Sequence, residues 1–236
     1  MATYNGEVFL REQIDSILPQ LSFDDELIIS DDKSNDTTVA IINEFKDNRI
    51  KLIFNQNKKV KRAHPAISNF ENALKHAKGD YIFLSDQDDI WKPNKISLTI
   101  EYIKKYDLVL SDCELIDKNG ILLYNSFFEL NQSKKGLFYN LKKNSYIGCC
   151  MAFKRELLKI ILPFPKDIPL HDVWIGFVAE LKFKPYFLNE KLICYRRHDN
   201  VTSFTGGQSK YGILKKISFR FNCLKYIPLI ILRKHV

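Results

Sequence analysis

The sequence predicts an α/β fold, a Rossmann-like mixed sheet flanked by helices. Three observations carry that expectation. Segments of helical apolar period alternate with short apolar runs through the first 85 residues, the pattern of crossover units on a parallel sheet covered on both faces. A turn signal between two apolar runs near residue 119 adds a hairpin, which makes the second half mixed. Acidic clusters directly follow two of the runs, at the carboxyl ends of strands where open sheets bind ligands.

Residues 8–18 place Leu10, Ile14, Ile17 and Leu18 at helical spacing, and ELIIS (26–30) is a short strand. TVAIINEF (38–45) is again helical, IKLIF (50–54) a strand, residues 66–79 a helix stopped by Gly79, and YIFLS (81–85) a strand. A helix follows Pro93; DLVLS (107–111) and YIGCCMAF (146–153) are strands on either side of the Lys118-Asn119-Gly120 turn. HDVWIGFVAEL (171–181) is an amphipathic helix, and YFLNE and LICYRR (186–196) are two further strands. ATYNGE (2–7) has the character of a loop that follows a first strand, yet only Met1 precedes it. The first strand is therefore expected to be missing or truncated. The chain is expected to divide into a main domain over 1–205 and a tail over 206–236.

The net charge of +8 is concentrated in that tail: residues 209–236 hold seven Lys or Arg and no acid, leaving 29 basic against 28 acidic residues elsewhere. The five cysteines (Cys113, Cys149, Cys150, Cys194, Cys223) form no C-x-x-C pair, which argues against a disulfide scaffold or zinc knuckle and for buried thiols in a reducing compartment. No signal peptide opens the sequence and no apolar run approaches the roughly 20 residues of a spanning helix. A cytoplasmic location follows as an expectation.

Asp86, Asp88 and Asp89 crowd four residues between an apolar strand and Trp91-Lys92-Pro93. Crowded carboxylates beside a low-dielectric interior repel one another and hold their protons unless a cation joins them. Mg²⁺ or Mn²⁺ suits that need, since such ions take one or two carboxylates and complete their shell with water and substrate phosphates. Asp31-Asp32-Lys33-Ser34 reads either as a turn with a helix cap or as a carboxylate for a nucleoside base or ribose. Arg196 and Arg197 could pair with phosphate by forked hydrogen bonds or simply be basic surface residues, and His198 could ligate a metal in its neutral form. The loop after His198 reads as a lid. The tail, with Leu214, Ile217, Phe221 and Leu224 near one helical face, could rest on an anionic membrane surface or pack on the core. Nucleic-acid binding lacks any reading module here.

MATYNGE, SDDKSNDTT, FLSDQDDIWKPNKI, HDVW and YRRHDNVTS, in that order, resemble the family 2 glycosyltransferases of GT-A fold, in particular the bacterial surface-polysaccharide, rhamnosyltransferase-like branch. The resemblance covers about residues 1–205. It implies an inverting transfer from a nucleotide-diphosphate sugar donor to a glycan or lipid-linked acceptor, with a divalent ion on the D-x-D element. Carried across position by position, Ala2, Thr3, Tyr4 and Glu7 line the nucleotide pocket and Asp32 holds the base or ribose. Asp86 approaches sugar and ribose, Asp88 is the main metal ligand, and Asp89 orients the sugar or supports the loop. Asp172 is the general base, for which a helix N-cap is the competing role, and His171 is structural or an alternative base. Arg197 faces the phosphates and His198 is a second metal ligand. A sugar-nucleotide nucleotidyltransferase would need a Gly-rich basic loop that ATYNGE does not supply, a haloacid-dehalogenase-like phosphatase a Thr or Val after its nucleophilic Asp, and a non-catalytic module would bind donor without turnover.

Overall fold

The computed structural model describes residues 1–56, 62–198 and 212–233, with backbone alone for 213–217 and 219. Its strands are β1 (Ala2–Thr3), β2 (Leu27–Asp31), β3 (Ile50–Phe54), β4 (Tyr81–Phe83), β5 (Ile90–Trp91), β6 (Leu108–Ile116), β7 (Leu122–Tyr124), β8 (Met151–Lys154) and β9 (Pro185–Arg196). The helices are α1 (Leu10–Ile17), α2 (Thr38–Glu44), α3 (Pro65–His76), α4 (Lys95–Ile103), α5 (Phe127–Asn131), α6 (Leu137–Lys142), α7 (Leu158–Ile161), α8 (His171–Lys182), α9 (Ile213–Leu224) and α10 (Ile227–Leu232).

The expected alternation forms a parallel three-stranded sheet, β1-β2-β3. β2 is buried at all five positions, as a strand covered on both faces must be. The second sheet runs β4-β8-β6-β9-β5, with β7 on β6, and mixes directions: β6 is parallel to β9 and antiparallel to β7 and β8. Two expectations change. Residues 186–196 form one strand, β9, whose pairing with β6 shifts register around Asp112 and so absorbs the Asn-Glu-Lys interruption. Residues 148–150 form a 3-10 turn, so the strand expected over 146–153 begins only at Met151.

The first strand is the two-residue β1. Its Ala2 N–H donates to Ser85 O at 3.3 Å, which joins the two sheets at the ends that carry the acidic loops. Away from those ends β2 and β4 part around a cavity of about 1240 Å³ lined by Ile28, Phe70, Leu74, Ile82 and Leu84 among others. Met1 stands at its head: the amine is buried, donates to Ile28 O at 2.8 Å, and is pushed down to about 5 by that burial. Each flanking strand is an edge on this side, so the slot has strand-shaped polarity and apolar walls.

Candidate active site

The loops after β1, β2 and β4 meet the first turn of α8 and the end of β9 in one crevice. Polar side chains hold the first of these loops in place. Asn5 adopts left-handed backbone (φ 48°), donates its N–H to Ser34 Oγ at 2.9 Å, and accepts from Asn35 N–H at 2.9 Å. Tyr4 is clamped by Gln87, whose Oε1 accepts its N–H at 2.8 Å and whose Nε2 donates to its carbonyl at 3.2 Å. Gly6 permits this, because a Cβ there would lie 2.6 Å from Gln87 Oε1. The Tyr4 ring is exposed, as a stacking surface must be. Thr3 is buried, its hydroxyl on Asp31 at 3.1 Å, and Ala2 contributes its backbone to the sheet. Glu7 accepts from Thr37 N–H and hydroxyl at 3.0 and 2.8 Å, so its carboxylate faces the start of α2.

The adjacent acids of the β2 loop divide their work. Asp31 is fully buried and accepts from Ser34 N–H and hydroxyl, which builds the turn. Asp32 is partly exposed, with Oδ1 accepting from Asn55 at 3.0 Å.

The β4 loop holds the charge. Burial, then repulsion from Asp88 and Asp172, raises Asp86 to about 8. The 148–149 turn lies between this loop and the start of α8, with Cys149 beside Asp86 and Asp89 and Gly148 against Asp172. Asp89 is 1% exposed and pushed far upward by burial and by Asp88 and Asp86. Its Oδ1 accepts Arg196 N–H at 3.0 Å, while Oδ2 has no partner among the described residues. Asp88 Oδ2 lies 2.9 Å from His198 Nε2. Arg196 locks the loop from behind: Nε donates to Asp88 O, Nη1 to Lys118 O and Nη2 to Glu12, and the guanidinium lies over the Phe9 ring.

These residues fit a divalent cation. Ligand atoms of Asp86, Asp89 and Cys149 lie within 4.8 Å of one another, one oxygen there is orphaned, and the Asp88–His198 pair stands beside them. Hydrogen bonding to Cys150 and burial push the Cys149 thiol upward, so it stays protonated and leaves the hard oxygens to a hard ion. Asp88 and His198 were singled out in the sequence; Cys149 was read there only as a buried apolar residue, and its place is set by the 3-10 turn that interrupts the expected strand.

Asp172 opens α8, its Oδ1 accepting Val173 N–H at 2.6 Å. Burial raises it to about 6, against the lowering effect of backbone N–H groups of Val173 and Gly148. The neighbouring His171 is stacked on Phe70 with centroids 3.9 Å apart, is pushed down to about 3 by burial, and has neither ring nitrogen partnered among the described residues. It is a neutral wedge beside Asp172. A Cβ at Gly148 would lie 2.7 Å from His171 Nε2 and 3.7 Å from Asp172 Cβ. Gly148→Ala is therefore expected to displace the wedge and lower turnover about tenfold or more with donor binding intact, measured by kcat beside a donor titration.

Arg197 donates its N–H to Ile116 O and lies over the Tyr124 ring, and its buried Nη2 has no partner among the described residues. The expected lid falls on residues 199–211, outside the described residues. Gln87, Glu12 and Arg196 form the frame that sequence reasoning left without a role in holding the loop; the only signal was their clustering with the singled-out residues, since contacts spanning as many as 184 positions have no local pattern.

Comparison with known proteins follows the same lines. The profile of Glycosyl transferase family 2 matches residues 1–162. The dTDP-rhamnosyl transferase RfbG of Shigella flexneri is 32% identical over 93% of this chain and 81% of its own length. The UDP-Glc:alpha-D-GlcNAc-diphosphoundecaprenol beta-1,3-glucosyltransferase WfgD of Escherichia coli is 34% identical over 70% of this chain, which spans 62% of its length. Among solved structures, S. aureus TarS 1-349 in complex with UDP-GlcNAc superposes with a TM-score of 0.69 at 18% identity, covering 100% of this chain and 66% of that one. Mycobacterium tuberculosis glucosyl-3-phosphoglycerate synthase, in complex with Mn2+, UDP-Glc and phosphoglyceric acid, gives 0.58 at 17% identity, covering 97% and 77%. At such identities the two structures establish the GT-A fold.

Proposed function

The chain belongs to glycosyl transferase family 2, and from that premise we propose that it is a metal-dependent, inverting glycosyltransferase of cell-surface polysaccharide synthesis, using a nucleotide-diphosphate sugar donor. The observation that supports this reading is the packing of the 148–149 turn between the two acidic groups: Cys149 Sγ lies within 4.8 Å of carboxylate oxygens of Asp86 and Asp89, and a Cβ on the adjacent Gly148 would lie 3.7 Å from Asp172 Cβ.

Asp172 takes the proton of the acceptor hydroxyl. The acceptor oxygen bonds to the anomeric carbon from one side as the bond to the diphosphate oxygen breaks on the other, which inverts the centre; the proton ends on Asp172 and the electron pair on the diphosphate. Asp32 orients the nucleoside and the exposed Tyr4 ring offers a face for the base, with Ala2, Thr3 and Glu7 fixing the loop around them. Arg197, through its unpartnered Nη2, neutralises the leaving diphosphate. Asp88 and His198, with Asp86 and Asp89 beside them, would hold Mn²⁺ or Mg²⁺, which when bound supplies Lewis-acid stabilisation of the charge on the diphosphate. Asp86 and Asp89 are held protonated in its absence, so cation and protons compete. Apparent Mn²⁺ affinity is accordingly expected to rise with pH between about 6 and 8, by up to about tenfold per pH unit for each proton displaced; isothermal titration at three pH values checks this, and a pH-independent affinity would place the ion away from Asp86.

The relative named for a diphosphoundecaprenol substrate supports a lipid-linked acceptor here. No helix among the described residues is long and apolar enough to cross a membrane, and we assign the basic tail a peripheral contact with an anionic cytoplasmic membrane face. Incubation with UDP-, TDP- and GDP-sugars, with and without Mn²⁺, tests the activity: Mn²⁺-dependent release of a nucleoside diphosphate is expected. Tight donor binding with no release from any sugar, acceptor present, would favour a non-catalytic module.

A further inference from the structure

Residues 130–155 contain no Asp or Glu, yet include Lys134, Lys135, Lys142 and Lys143, all exposed and in no ion pair among the described residues. Between these lysine pairs lies α6, whose Phe138 is 85% exposed. A large aromatic ring in water, bracketed by unneutralised lysines, has no role in the fold. The helix itself is firmly seated: Gly136 N–H and Asn140 reach Glu180 of α8, and Arg220 of α9 donates to the carbonyls of Leu141 and Lys142 at 2.6 and 3.0 Å. α9 in turn exposes Phe221 (65%), and α10, held through Lys182 to the Ile231 carbonyl, exposes Ile231 (63%) and Leu232 (76%). Three short helices thus lean on one another or on α8 with their apolar tips outward.

We propose that α6, together with α9 and α10, forms a single docking surface for an anionic lipid bilayer, the α6 lysines supplying most of its attraction and Phe138 entering the headgroup region. The argument is charge complementarity: unpaired lysines around exposed apolar side chains match a negatively charged interface, where each nearby lysine adds to binding and the rings bury apolar area. The tail is also tied to the segment that leads into α8. Asp167, five residues before Asp172, accepts from Lys225 and Tyr226 of the tail, and its carbonyl accepts from Asn222. The proposal rests on the lipid-linked acceptor inferred above.

Flotation of the full chain with vesicles of phosphatidylcholine alone or with 30% phosphatidylglycerol tests it. Binding is expected to anionic vesicles and to weaken as salt rises. Replacing the four lysines together (Lys134→Gln, Lys135→Gln, Lys142→Gln, Lys143→Gln) is expected to reduce that binding by about tenfold or more with the tail intact. In the Phe138→Trp variant, brominated lipid is expected to quench a fluorescence component that the parent protein lacks, Trp91 and Trp174 being buried. Wild-type binding by the quadruple variant, equal binding to uncharged vesicles, or an unquenched Phe138→Trp variant would overturn the proposal; so would a dimer in sedimentation that Phe138→Ser dissolves, because a second copy would then cover the face. Nucleoside diphosphate release with a soluble acceptor should be unchanged in every variant, which separates failure here from failure of the glycosyltransferase reading.

Discussion

Asp172→Asn is expected to lower turnover by about 10²- to 10⁴-fold while donor binding stays within about twofold. Asparagine keeps the hydrogen bond from Val173 N–H through its carbonyl oxygen but cannot accept a proton from the acceptor hydroxyl. The pH profile sharpens the test. Burial raises Asp172 to about 6, so the basic form dominates above that pH and turnover should rise through about pH 6 to a plateau. The residual activity of the asparagine variant should lack that limb. Stability should move the opposite way. A carboxyl whose folded pKa is raised favours the folded state most when protonated, and this contribution is lost as pH climbs from the ordinary carboxylate range through about 6. The variant, free of the buried charge, is expected to melt at a higher temperature than the parent at pH 8 and at much the same temperature at pH 4. The helix N-cap is Leu170, not Asp172, so unchanged turnover would leave Asp172 with only its hydrogen bond from Val173 N–H in the first turn of α8.

Asp88→Asn is expected to abolish Mn²⁺-dependent strengthening of donor binding, a loss on the order of a hundredfold. The carboxylate is tied to His198 and its backbone carbonyl to Arg196. Removing the negative charge takes away a cation ligand while the Arg196 bond, made to the main chain, survives. The change also relieves a repulsion that raises both Asp86 and Asp89, so the loop should be no less stable without metal. Binding of the free nucleoside, read by fluorescence or calorimetry, should persist because Tyr4 and Asp32 are untouched. A variant that lost nucleoside and metal binding together would point to collapse of the loop.

Much of this was legible from local pattern. Alternating helical and strand periods gave β2, β3, α1 and α3 close to their observed bounds. The expectation that the strand at 81–85 joins the same parallel sheet fails, since β4 pairs antiparallel with β8 in the second sheet. The two acidic loops come together because the bond from Ala2 N–H to Ser85 O joins the sheets at those ends. What escaped was set by contacts between distant segments. The register shift that fuses residues 185–196 into β9 depends on pairing with β6, and the 3-10 turn at 148–150, which brings Cys149 toward Asp86 and Asp89, runs through residues whose apolarity reads as a strand. Glu7 shows what position alone does not give: the resemblance assigns it to the nucleotide pocket, and in the structure its carboxylate accepts from Thr37 across the loops. α6 was passed over because six residues with one apolar aromatic outward carry no clear period.

The central claim is that Asp88, with Asp86 and Asp89 beside it, would hold a divalent cation that binds the donor diphosphate, with Asp172 on the same site. Anomalous scattering from crystals soaked with Mn²⁺ and UDP tests it most directly. The account predicts one strong peak within bonding distance of an Asp88 carboxylate oxygen, shared with the diphosphate and on the crevice side facing Asp172. A peak held by other residues, or diphosphate bound with no metal near Asp86, Asp88 or Asp89, would contradict it.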